Sequence, residues 1–86
     1  MWYAYVLRSK KTDGWYIGST RDLRKRILSH NAGKNRATQH GRPWELLYYE
    51  AGHNRDDARG REMYLKSGMG RRYLKNRLKF FFAEDL

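Results

Sequence analysis

No cysteine occurs in this sequence, which rules out a disulfide framework and a cysteine-based zinc site. Histidine is sparse: His30, His40 and His53 are too scattered to suggest a metal cage by spacing. No apolar run approaches the roughly 18 residues of a membrane-spanning helix. The N-terminal MWYAYVLRSKK is apolar and then basic, the reverse of a secretion signal. A soluble cytoplasmic protein with no membrane partner is the expectation. Acidic residues are also few, nine against nineteen Lys and Arg.

That imbalance gives a net charge of +10, spread along the chain rather than gathered in a tail. Such a field attracts polyanions and speeds their capture, with nucleic acid the first candidate and an anionic membrane surface the second. The 86 residues fit one domain, residues 1–86, with a modest core and marginal stability. Aromatic residues, 15% of the chain, help because each ring buries a large area. A monomer is the default, since the sequence carries no sign of an oligomer.

Trp2–Leu7 reads as a strand, with Tyr3, Tyr5 and Leu7 on one face and Trp2, Ala4 and Val6 on the other. Asp13-Gly14 signals a turn, and Trp15–Gly18 a second strand, so the two form an antiparallel hairpin. STRDLRKRILSHNAG then predicts a helix. Ser19 is its expected cap, Asp22 completes a box-like arrangement, Leu23 and Ile27 form an apolar stripe, and Gly33 is a left-handed stop. Lys34–Pro43 reads as an exposed loop and WELLYYE, 44–50, as a third strand. A second helix starts at Asn54, with Asp56 and Asp57 favouring its dipole, and runs to Ser67–Gly68. GMG, 68–70, reads as a break, and Arg71–Phe82 as a third helix with Tyr73, Leu74, Leu78 and Phe81 on its apolar side. The expected class is α/β with element order β-β-α-β-α-α.

Three groups of residues offer chemistry, and each has a plain alternative. Arg26 and His30 are four apart on one helix face, pairing a phosphate-binding fork with a group that moves protons near neutral pH. They equally fit a solvated basic face with Arg21, Arg24 and Lys25. Glu62 lies in a basic neighbourhood and suits a hard cation, but it equally suits an ordinary i, i+4 pair with Lys66. Tyr5 and Tyr16 fit half-buried strand packing. As a base, a phenol needs its pKa of about 10 lowered by nearby cations, here Arg26 and a metal on Glu62.

AYV at Ala4–Val6 and YIG at Tyr16–Gly18 resemble the two halves of the GIY-YIG nuclease signature. The resemblance continues through GSTRDLRKRILSHN, PWELLYYE and, from Ala58 to Lys75, AxxREMYLKSGMGRRYLK. It covers nearly the whole chain and is greatest to the small stand-alone bacterial (UPF0213-like) branch. The first half departs from the pattern, being Ala-Tyr-Val rather than Gly-Ile-Tyr. The resemblance implies a three-stranded antiparallel sheet flanked by helices, which agrees with the element order read from the residues. It implies roles too: Tyr5 as base toward water, Tyr16 lining the site, and Arg26 stabilising charge on the phosphate. His30 would take the proton from Tyr5, and Glu62 would be the sole ligand of one Mg²⁺. Lys66 and Arg71 match a block typical of the small branch and become candidates for backbone contacts. Arg21, Lys25, Arg72 and Lys75 join them as candidate nucleic-acid-binding residues. An asparagine follows the metal glutamate in many members, and Asn76 lies nearby without a secure alignment.

The expected function is a Mg²⁺-dependent endonuclease hydrolysing DNA phosphodiester bonds, with preference for DNA shape over sequence. RNA is a further possible substrate. The alternative is a nucleic-acid-binding module that does not cut, or cuts only with a partner protein.

Overall fold

A computed structural model of the protein describes residues 1–84. The chain runs β1 (Trp2–Ser9), β2 (Trp15–Thr20), α1 (Leu23–Asn31), a 3₁₀ turn (Gln39–Gly41), β3 (Trp44–Gly52), α2 (Arg55–Lys66), α3 (Gly68–Arg77) and α4 (Lys79–Glu84). The sheet is antiparallel in the order β2-β1-β3, so β1 is central and β2 lies at an edge. This is the three-stranded sheet with flanking helices that the sequence predicts.

Alternation along β1 sends its side chains to two unlike layers. Ala4 and Val6 join Leu65 of α2 and Leu74 of α3 in a core whose members are at most 1% exposed. Trp15, Ile17, Leu47, Tyr64, Tyr73 and Leu78 pack around it. Tyr5 faces the other way, onto His30 of α1. The Trp15 ring is spent on packing: Phe82 stacks on it at 5.8 Å, and the Arg71 guanidinium lies 4.3 Å from its centroid.

The helix boundaries correct the sequence reading in three places. Ser19 does not cap α1. It is still in β2, and Asp22 is the cap, accepting from the Lys25 amide at 3.0 Å. Gly68-Met69-Gly70 does not break the chain but forms the first turn of α3, capped by Ser67. A Cβ on Gly70 would run into the Tyr64 carbonyl, so glycine there lets α3 lie close against the end of α2. The expected third helix, Arg71–Phe82, is two helices that part at Leu78, which caps the C-terminus of α3. Asn54 caps α2 as expected, and Gly33 has the left-handed φ of 78°.

Candidate active site

Tyr5 pairs with Gly18 across β1 and β2. A Cβ on Gly18 would come within 2.6 Å of the Tyr5 hydroxyl, so only a glycine lets that phenol lie flat over the edge strand. The hydroxyl is thereby held 3.0 Å from Nε2 of His30, in the last turn of α1. Tyr16, two residues before Gly18, brings its ring to 4.9 Å from the imidazole and 6.5 Å from the Tyr5 ring. Trp44 meets Tyr16 edge-on at 6.4 Å.

The hydrogen bonds fix the histidine tautomer. Nδ1 of His30 lies 2.8 Å from Oγ1 of Thr38, whose own proton goes to the Asn35 carbonyl at 3.3 Å. With that proton committed, Nδ1–H donates to Thr38 and Nε2 accepts from Tyr5 O–H. Tyr5, His30 and Thr38 are each no more than 1% exposed. The sequence reading missed Thr38 altogether, placing it in an exposed loop. One threonine among polar residues gives no periodic or motif signal, and only the turn after α1 folds it inward.

Burial pushes the Tyr5 phenol well above its ordinary pKa, the neighbouring Tyr16 and the Glu62 charge add to this, and Arg26 pulls against it. Arg26 pulls this phenol down as expected, but loss of water outweighs it. Burial first and Arg26 second hold His30 below 6.5, so the ring is neutral at neutral pH. A protonated phenol bonded to a neutral imidazole is a pair through which a proton can pass.

Arg26 and Glu62 reach this cluster from opposite sides of the sheet. Arg26 is exposed on α1 and lines a depression of about 230 Å³ with Thr20, Asp22, Lys25 and Ser29. Among the described residues its guanidinium has no hydrogen bond or ion pair. Glu62 comes from α2, on the face of the core, and bends to the edge strand. Its Oε1 accepts from Ser19 Oγ at 2.6 Å and its Oε2 from Lys66 Nζ at 2.8 Å. Burial alone would raise its pKa, but the bonds from Lys66 and Ser19 prevail and hold the carboxyl below the ordinary range. Glu62 thus forms the ordinary pair with Lys66, and it also bonds Ser19, the residue after the glycine beneath the Tyr5 hydroxyl. Tyr5, Tyr16 and His30 touch directly, whereas Arg26 and Glu62 act on Tyr5 through charge alone.

Among the described residues no three His, Cys, Asp or Glu side chains gather as a metal cage. One carboxylate beside a hydroxyl nevertheless fits Mg²⁺, which keeps several waters and takes phosphate oxygens as its other ligands. Lys66, on a flexible and half-exposed stem, is the group that must give way.

The candidate backbone-contact residues divide. Lys66 is paired with Glu62, Arg71 lies on Trp15, and Arg21 lies 5.8 Å from the Trp2 ring. Lys25 lines the depression with Arg26, while Arg72 and Lys75 are exposed on α3.

Two tyrosines in contact with a histidine, with an arginine and a carboxylate acting on them through charge, suit a phosphate-handling domain. Residues 1–79 match the GIY-YIG catalytic domain, and the chain belongs to this nuclease family. Over 65 residues it is 40% identical to a UPF0213 protein of Clostridium perfringens, covering 74% of this chain and 69% of that one. It is 38% identical to the UPF0213 protein YazA of Bacillus subtilis, covering 74% and 65%. A UPF0213 protein of Bacillus pumilus is 42% identical over 67 residues, covering 76% and 66%. The match therefore spans about two thirds of these relatives' lengths. No solved structure matches.

Proposed function

We propose that the protein is a Mg²⁺-dependent endonuclease that hydrolyses DNA phosphodiester bonds in the cytoplasm, selecting DNA by shape rather than sequence. The observation that carries this reading is the buried hydrogen-bonded chain from Tyr5 through His30 to Thr38, beside an arginine that makes no hydrogen bond or ion pair among the described residues.

The reaction joins a water oxygen to phosphorus and breaks a bond from phosphorus to a bridging oxygen. Tyr5 takes the water's proton as it passes its own to Nε2 of His30, so no free phenolate has to form in a buried site. Thr38 holds the opposite nitrogen and keeps Nε2 aimed at the phenol. His30, with its lowered pKa, then returns the proton readily to the Tyr5 oxygen, from which it passes to solvent, and the departing oxygen takes its proton from water. Arg26 offers two N–H donors to the charge that grows on the phosphate oxygens. Bound at Glu62, Mg²⁺ would supply Lewis-acid stabilisation of the phosphate and the leaving oxygen. The basic surface holds the backbone without reading bases, so binding weakens steeply with salt.

The test uses branched, single-stranded and duplex DNA with Mg²⁺. The native chain cuts, and Glu62→Ala binds without cutting. Binding by the native chain with no cleavage of any substrate would sink the hydrolytic reading and leave a binding module. Cleavage of a long duplex at a few fixed sites would contradict shape selection.

A further inference from the structure

A second surface lies across the first turn of α1 from the Arg26 depression. It is an open groove of about 720 Å³, between α1 and the strands β1 and β3. Its floor is the ring pair Tyr3 and Tyr49, with centroids 5.9 Å apart, flanked by Leu46 and Ile27. Tyr49 is 51% exposed and Leu46 38% exposed, so apolar surface here is left to water. Arg21 and Arg24 line the rim, and among the described residues the Arg24 guanidinium has no hydrogen bond or ion pair. The one acid in the lining, Asp22, is engaged in capping α1. Asp22 borders both the groove and the Arg26 depression, so a single turn of helix separates them.

Exposed rings beside cations that form no ion pair among the described residues are what an unstacked nucleotide needs: a π-face for the base and positive charge for the phosphates. A duplex keeps its bases stacked inside and has no use for the rings. A neutral apolar partner would use the rings but leave two arginines uncompensated. We infer that this groove binds an unpaired nucleotide of single-stranded DNA, its base against Tyr49 and Tyr3 and its phosphate between Arg21 and Arg24. The inference rests on the nuclease reading for its substrate and deepens it. The strand crossing from groove to depression carries its next phosphates to Arg26, so substrates with an unpaired strand are preferred.

Binding is measured by fluorescence anisotropy in EDTA, where no cleavage occurs, with a labelled single strand of about fifteen nucleotides and a duplex of equal length. The wild type binds the single strand more tightly. Tyr49→Ala weakens single-strand binding roughly tenfold, as loss of one stacked base does, and changes duplex binding less than about twofold. Tyr49→Phe restores single-strand binding, because the ring and not the hydroxyl is used. Unchanged single-strand affinity in Tyr49→Ala overturns the groove, as does equal loss for both DNAs in a variant that circular dichroism shows to be folded. Self-association in sedimentation that Tyr49→Ala abolishes also overturns it, by assigning the groove to a second copy of the chain. Cleavage is scored separately with Mg²⁺. A wild type that never cuts but loses single-strand binding in Tyr49→Ala keeps the groove and loses the nuclease. A wild type that cuts and is indifferent to Tyr49→Ala does the reverse.

Discussion

On the face of the sheet covered by α2 and α3, Ala4 and Val6 meet Leu65 and Leu74, and the charges of Arg61 and Glu50 beside them are paired. Arg61 makes two bonds to Glu50, at 2.8 and 2.9 Å, and lies 4.6 Å from the Tyr64 ring. Tyr48 closes the network with bonds to Glu50 and Tyr73, both 3.0 Å. On the face covered by α1, Tyr5 is buried just as deeply, yet its partner is a histidine, and the adjoining Arg26 makes no hydrogen bond or ion pair among the described residues. Both faces are satisfied inside, since no buried side-chain N or O lacks a hydrogen bond among the described residues. The difference lies at the rim. One arginine is tied into the fold and the other is not, so substitutions at the two separate stability from chemistry.

The largest effects should therefore fall on different observables for the two faces. Leu74→Ala opens a cavity in the dry layer and costs about 2–5 kcal/mol of stability, a large share of what a domain this small has, read by urea unfolding. Arg26→Ala removes a side chain that forms no hydrogen bond or ion pair among the described residues. It lowers kcat about 10²–10³-fold, as loss of one transition-state donor does, while the urea midpoint stays where it was. If Arg26→Ala weakens binding as much as turnover, Arg26 is a backbone contact and the contrast with Arg61 is lost.

Tyr5→Phe mixes the two kinds of effect. It keeps the ring against Gly18 but leaves Nε2 of His30 without its donor, costing about 1–3 kcal/mol of stability. Cleavage falls more steeply, by about 10²-fold or more, because the path for the proton is cut. Activity surviving in Tyr5→Phe would make Tyr5 a packing residue like Tyr64. Thr38→Val is milder. The imidazole keeps its Tyr5 partner but loses the acceptor that fixes its tautomer, so kcat drops about tenfold with KM unchanged, and Thr38→Ser restores it.

How much of this was legible in the sequence depends on whether a residue's role is local. Alternation in Trp2–Leu7 gave the two unlike faces of β1, and Asn54 followed by two aspartates marked the start of α2. Ser19 was misread because serine before a charged helix is a strong cap signal, and nothing local says that Glu62, 43 residues later, claims its hydroxyl. Gly68 and Gly70 were misread as a break because the demand for glycine at position 70 comes from the Tyr64 carbonyl on another helix. Tyr5, Tyr16, Arg26, His30 and Glu62 were given roles only by family resemblance, and their spacing alone left the plain alternatives open. Thr38 and the Tyr3–Tyr49 groove were invisible, since each depends on a contact between distant elements.

The smallest expected effect bears most directly on whether Arg26 belongs to the His30 cluster. His30 has a lowered pKa in the folded protein, from burial first and Arg26 second. As pH falls through 6.5 the unfolded chain takes up a proton at this residue while the folded protein does not, so stability declines with falling pH down to the folded pKa. Above 6.5 both states are neutral there and the contribution is flat. Glu50 and Glu62 are also depressed, but their losses begin only below 4.5, in a separate window. Removing Arg26 leaves burial in place and takes away the second cause, so the folded pKa moves part of the way back. Thermal midpoints followed from about pH 7.5 to 5 should then fall less steeply in Arg26→Ala than in the wild type. Identical slopes would mean that the arginine's charge does not reach the imidazole, and that the two sit on one helix without sharing a site.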